Sequence, residues 1–224
     1  MVRRKSGPRE PRVSEIELPR LVDLLDVVGP DAEYELTEFR LSGGQPVADR
    51  SAFVECEFID SVAATLSTRH ARFVTCVARG SNIVTWSARG TTWREVALTS
   101  GRIGSFDLSG ASLDTVDFVG LRIGYLNLVD AELADVRFTD CVFETLDLPG
   151  ASLERVSYHG CTVDELDLRH CRSSDLDLRG LSFASLNGID GLRGATITEH
   201  QCLQLATVLA TAAAITVVDD DQRG

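Results

Sequence analysis

The chain has 224 residues, 44% of them apolar and 6% aromatic, so one or two domains with a core of Leu, Val, Ala and Phe are expected. The formal charge of −12 is uneven: residues 1–12 are net +4, residues 51–105 net +2 and residues 106–190 net −10. No run of eighteen apolar residues occurs and no apolar stretch of signal-peptide type comes after the basic N-terminus, so no membrane span is indicated and a cytoplasmic protein is expected.

Residues 1–12 hold Arg3, Arg4, Lys5, Arg9, Arg12 and two prolines, and read as a disordered basic tail. Residues 13–50 read as an N-terminal cap and an irregular first coil. Within them, residues 13–28 form a short helix or strand. The pairs Tyr34/Leu36 and Phe39/Leu41 then beat every five residues, two residues out of phase with the units that begin at Ser51. Ser42-Gly-Gly-Gln-Pro46 supplies the slip.

From Ser51 to Asp190 the chain divides into 28 consecutive units of five with no insertion. The third residue is large and apolar in 22 of the 28, without a break from Trp93 to Leu168. The exceptions are Ala63, Thr68, Ala78, Ala88, Ser173 and Gly188. The first residue is always small or apolar, and none of these 56 positions is charged although a quarter of the chain is. A helix repeats its faces near 3.6 residues and a flat strand every two, so neither fits a period of five. A polygonal coil does: positions one and three point to one side of an extended segment, and positions four and five turn the chain.

A second period sets the number of sides. Phe106, Leu126, Leu146 and Leu166 form one column of first positions, Ala111, Ala131 and Ala151 the next, Val116, Val136 and Val156 the third, and Leu121, Cys141 and Cys161 the fourth. Twenty residues per coil means four sides and seven coils, a rod about 34 Å long at the strand spacing. Small centres at Ala63, Thr68, Ala78 and Ala88 underfill the early coils, which are expected to be looser or less regular.

Residues 191–218 read as a C-terminal cap. Thr198-Glu-His-Gln201 has the form of a capping box, and a helix should run to about Ala214. Cys202, Leu205, Ala206, Leu209 and Ala213 share the face that would lid the last coil. Ile215–Val218 would add a short strand, and residues 219–224 an acidic tail.

The five-residue spacing, the Leu/Phe centres and the Ala/Cys/Val first positions resemble the pentapeptide-repeat family over about 140 of the 224 residues. The ending Leu192-Arg-Gly-Ala-Thr-Ile-Thr before a helix is similar to actinobacterial members. The resemblance implies an all-β fold, a right-handed quadrilateral parallel β-helix. The family includes proteins that protect DNA gyrase from fluoroquinolones by resembling DNA in shape and charge, which implies a non-enzymatic interaction protein.

Two adjacent sides carry most of the acidic charge, and their carboxylates are the candidate partner-binding residues. One side holds Asp107, Asp130, Asp147 and Asp167; its neighbour holds Asp114, Glu132, Asp135, Glu154 and Asp175. Net −10 over roughly 20 Å is about one charge per 2 Å, close to the one per 1.7 Å of duplex DNA. Arg155, Arg169 and Arg172 offset these charges in part, and Asn127 sits between Asp107 and Asp147 in the stack. The same pattern also fits a solvated face without a partner.

Five of the six cysteines (Cys56, Cys76, Cys141, Cys161 and Cys171) take first positions and should face inward as free thiols. No zinc-ligand spacing occurs; Cys171 follows His170, but their side chains should point opposite ways, and His70, His159, His170 and His200 read as surface or capping residues. Gly110, Gly120, Gly150, Gly160 and Gly180 fall at corners without a helix start after them, so they make no phosphate loop. Catalytic, cofactor and metal residues are not expected.

Two readings of function are open. In the first, the acidic half docks on a basic, DNA-binding surface such as that of a type II topoisomerase, with no direct nucleic-acid contact. In the second, the protein is a scaffold whose partner is unrelated to DNA enzymes, contacted through the basic tail or the early coils, where Arg69 and Arg89 stack on one side and Arg102 and Arg122 on another. A homodimer joined through the C-terminal helix is a third arrangement that these residues allow.

Overall fold

The computed structural model describes residues 7–212 and 214–216. They form a parallel β-solenoid of about eight turns with short helices at the C-terminal end. Neighbouring turns align at twenty residues. Val136 stands opposite Val116 and Val156, and Phe138 opposite Phe118 and Tyr158. First and third positions therefore stack like on like: Leu128, Phe138 and Leu148 are fully buried, and no helix interrupts residues 106–180.

The fifth position makes the corners. On three of the four corners it takes left-handed backbone, as at Gly110, Thr115 and Gly120 with φ of 62°, 60° and 64°. Glycine suits such a turn, since it has no Cβ to clash. One corner uses none. Glu55, Thr75, Glu95, Thr115, Asp135, Arg155 and Asp175 all hold φ between 53° and 60°. Each such residue costs about 1–2 kcal/mol of local strain, which the ladders on either side must hold in place.

The irregular first coil differs from its expected phase. Tyr34 pairs with Phe53 and Glu38 with Glu57, a step of nineteen, whereas Ser42 pairs with Val62 at twenty. The frame is thus one residue out, not two, and the missing residue lies between Phe39 and Leu41, ahead of the Ser42–Pro46 loop. Thr37, which is buried, takes the first position, while Leu36 sits at a left-handed corner with φ 53°. Strand Asp23–Leu25 pairs with Thr37–Phe39 and covers that open edge.

The early coils are regular in register, with Arg72–Ser87 in step with Thr92–Asp107 throughout. Large rings take up the space beside the small centres. Phe53 stacks on Phe73 at 4.9 Å and Trp86 on Phe106 at 4.5 Å, and the Trp93 ring meets Phe73, Trp86, Phe106 and Phe118. A cavity of about 30 Å³ remains, bordered among others by Ala48, Ser61, Thr68 and Ala78. That is room for about one water molecule.

Two further expectations change. Residues 7–12 are not a free tail; they lie against one side of the solenoid, while residues 1–6 fall outside the described residues. The C-terminal helix breaks into Glu199–Gln204 and Ala206–Ala212. Its capping box is present, with Thr198 accepting from the Gln201 backbone N–H and the Gln201 side chain reaching back. Contact with the last coil runs through Leu205 and through Gln201, whose amide donates to the carbonyls of Leu178 and Leu181 at 2.7 and 2.8 Å. Cys202, Ala206 and Leu209 are exposed, so the expected apolar face is not the buried one. The reason is geometric: the polar amide bridges two carbonyls at the open edge, which an apolar face could not do. Ala213, Val217, Val218 and residues 219–224 lie outside the described residues, and Ile215 and Thr216 are not in a strand.

Candidate protein interface

A flat-sided rod presents four surfaces, and the second, fourth and fifth residues of each unit furnish them. The first side comprises residues 101–105, 121–125, 141–145 and 161–165. The second comes next with 106–110 to 166–170, the third with 111–115 to 171–175, and the fourth with 116–120 to 176–180.

The nine anticipated carboxylates lie on the second and third sides, and most of them are already partnered. Asp107 pairs with Arg89 and also accepts from the Ser109 backbone N–H and from Asn127. Asp167 pairs with Arg169 at 2.5 Å. Asp135 receives both Arg155 nitrogens at 2.7 Å, and Arg155 also holds Glu154. Asp175 pairs with Arg9 at 2.6 Å, and Asp114 faces Arg94 at 3.9 Å. Asp147 accepts from the Tyr125 hydroxyl at 2.8 Å. Burial and that carboxylate together push the Tyr125 hydroxyl up to about 12. Only Asp130 and Glu132 of the nine make no side-chain hydrogen bond or ion pair among the described residues.

These pairs set the acidities. The Arg155 hydrogen bonds hold the Asp135 carboxyl below the usual carboxylate range. At Asp107, Asp167 and Asp177 burial works the other way. The combined hydrogen bonds from Arg89, Arg169 and Arg179, and from the backbone N–H two residues on, outweigh it and keep these carboxyls low.

Further unpaired charge lies on the first side, where the spacing of the acids alone gave no emphasis. Glu144, Asp164 and Glu165 make no ion pair among the described residues, and neither do Arg122 and Arg102, one and two turns before Glu144. Val84, Tyr125 and Val142 are exposed on the same side. Gly104 and Gly124 leave a notch of about 220 Å³ there, bordered by Arg102, Arg122, Val142 and Glu144. A signal for this was present. Many ion pairs join residues about twenty apart, as in Arg155–Asp135, Arg137–Asp117 and Arg69–Asp49. Glu144 has Gly124 and Asp164 at those offsets, and Arg102 has Asn82 and Arg122.

The fourth side is covered. Residues 7–16 run along it in extended form. The Arg9 and Arg12 backbone N–H groups donate to Asp175 and Asp135 at 3.2 and 2.9 Å, and the Glu10 carboxylate stands 3.9 Å from His159. Ser14, Glu15 and Ile16 continue over Val77, Arg79, Ala97 and Thr99. Second-position side chains face outward, yet on this side Val77 and Ser157 are buried.

The chain matches no protein-family model and no curated protein. Among solved structures it is similar to two trypsin-treated variants and the full-length form of QnrB1, a plasmid-mediated fluoroquinolone resistance protein. The first variant is 16% identical, with 89% of this chain and all of that one covered and a TM-score of 0.36. The second is 16% identical over 88% of this chain and all of that one at a TM-score of 0.32. The full-length form is 17% identical over 84% of this chain and 97% of that one at 0.31. The likeness is one of β-solenoid fold at low identity.

Cys56, Cys76, Cys141 and Cys161 are buried free thiols, and burial pushes the half-buried Cys171 thiol up to about 11. Among the described residues no group of three or more His, Cys, Asp or Glu is placed to hold a metal, and no helix is long and apolar enough to cross a membrane.

Proposed function

We propose that the protein is a non-enzymatic interaction protein whose acidic half docks on the basic, DNA-binding surface of a protein, with a type II topoisomerase such as gyrase as the partner class. The observation that carries this reading is unrelieved negative charge on residues 106–190. Asp130, Glu132 and Asp147 from the two anticipated sides, with Glu144, Asp164 and Glu165 from the first, have no cationic partner among the described residues. Glu144 and Asp164 belong to adjacent strands. At a spacing of about 4.8 Å they repel by about 0.9 kcal/mol in a water-like dielectric, a cost that a cationic surface removes. The six paired carboxylates contribute far less to the outward field. Micromolar protein at low salt should inhibit gyrase supercoiling, less so as salt rises. The combined change Glu144→Gln, Asp147→Asn, Asp164→Asn and Glu165→Gln should weaken inhibition by about tenfold or more. Unchanged supercoiling with the natural chain at low salt rejects this partner.

One observation favours the scaffold reading. Arg69 and Arg89 are occupied by Asp49 and Asp107, but Arg102 and Arg122 flank the glycine notch without an ion pair among the described residues. On this reading a partner retained by the full chain is lost on Arg102→Ala/Arg122→Ala and kept by the four-carboxylate variant. The reverse result rejects it.

A further inference from the structure

The fourth side of the solenoid already holds a peptide, and it is the protein's own. Residues 7–20 make no backbone ladder with the coils; among the described residues the first backbone-to-backbone hydrogen bond from the N-terminal segment is Val22 N–H to the Leu36 carbonyl. None of these residues is buried. Pro8, Pro11, Val13, Ile16 and Leu18 are half-covered, and the polar attachment rests on two carboxylates, Asp135 and Asp175, with Glu10 standing 3.9 Å from His159. Both carboxylates project from the glycine-free corner, two turns apart, with φ of 54° and 58°. The Arg9 guanidinium donates to Asp175 at 2.6 Å while its side chain stays 62% exposed. A segment held by a few exposed charge-assisted bonds and half-covered apolar residues is loosely bound, and its tether at strand Asp23–Leu25 keeps it at high effective concentration.

We propose that residues 7–18 are a displaceable strap and that the side they cover is a docking face for an extended partner segment that brings one arginine to Asp175, as Arg9 does, and a backbone N–H to Asp135, as Arg12 does. The face supplies what such a segment needs: Asp175, which takes a backbone N–H and a guanidinium, Asp135 two turns away, which takes a backbone N–H, and the flat strands of Val77 and Ala97, which receive its apolar residues. The strap holds this face closed until a competing segment arrives. The inference stands apart from the acidic-surface reading, since neither Asp135 nor Asp175 belongs to the unpaired set.

The test uses the full chain and a fluorescein-labelled peptide of residues 1–20 followed by anisotropy at low salt. A ligand's apparent affinity falls with the fraction of sites left open, so the natural chain should bind the peptide weakly. The Arg9→Glu/Arg12→Glu chain, whose own strap is repelled, should bind it about tenfold more tightly. Adding Asp175→Asn to that variant should abolish binding. Thermal unfolding of each variant confirms that the solenoid is intact. Equal affinity in all three chains, or no binding to the Arg9→Glu/Arg12→Glu chain up to about 100 µM, overturns the proposal. A natural-chain dimer that dissolves on Arg9→Glu/Arg12→Glu overturns it too, in favour of strap exchange between two copies.

Discussion

Along residues 51–105 the tube is filled by a few large rings set among alanines, whereas along 106–190 it is filled by an almost unbroken set of Leu and Phe columns. The first half leaves a cavity of about 30 Å³ and is net basic; the second is close-packed and net acidic. The ladder register is the same in both. Backbone period and side-chain filling are therefore separable in this fold: the corners and ladders impose the coil, and the interior need only be apolar and of about the right volume.

Truncation in the close-packed half tests this difference most strongly. Leu128→Ala, at a fully buried centre, should cost about 3–4 kcal/mol in urea unfolding. The next test uses one substitution in both halves. Ala131→Val adds bulk at a fully buried position away from that cavity and should destabilise by about 1–3 kcal/mol. Ala78→Val adds the same bulk beside the cavity and should stabilise by about 1 kcal/mol. Equal effects would erase the distinction. Amide exchange should likewise be faster over residues 51–90 than over 106–170, and uniform protection would count against it.

A smaller effect is expected at Tyr158, whose buried hydroxyl has no hydrogen-bond partner among the described residues although its ring stacks on Phe138 at 4.9 Å. Burial pushes that hydroxyl well up. Tyr158→Phe should keep the stack, remove the orphan and raise stability by about 1 kcal/mol. The two halves should also part on acidification. Asp107, Asp135, Asp167 and Asp177, all in the second half, have carboxyls held below their ordinary value. A depressed folded-state value stabilises above the unfolded value near 3.8, and that contribution is lost as pH falls through the folded value. Amides of residues 106–190 should therefore lose protection below pH about 4 before those of 51–105 do. Loss in the opposite order would contradict the pairing.

The repeat was legible because contact in a solenoid is a translation along the chain. Leu128, Phe138 and Leu148 had to face inward once every fifth residue was apolar, and the columns came from a step of twenty. The first coil was less legible, since a unit one residue short leaves no mark that composition can distinguish from a loop. The candidate interface was only half legible. The nine carboxylates lie where the repeat puts them, but their freedom depended on which arginine reached them.

The sequence by itself determined the period, the buried columns and the polarity of charge along the rod, because each depends only on residues a fixed step apart. Tertiary structure alone decided that Arg9 neutralises Asp175, that Gln201 closes the last turn and that residues 7–16 lie along the fourth side. Those contacts rest on side-chain reach, and the first joins Arg9 to Asp175 across 166 residues, a separation over which no periodicity carries information.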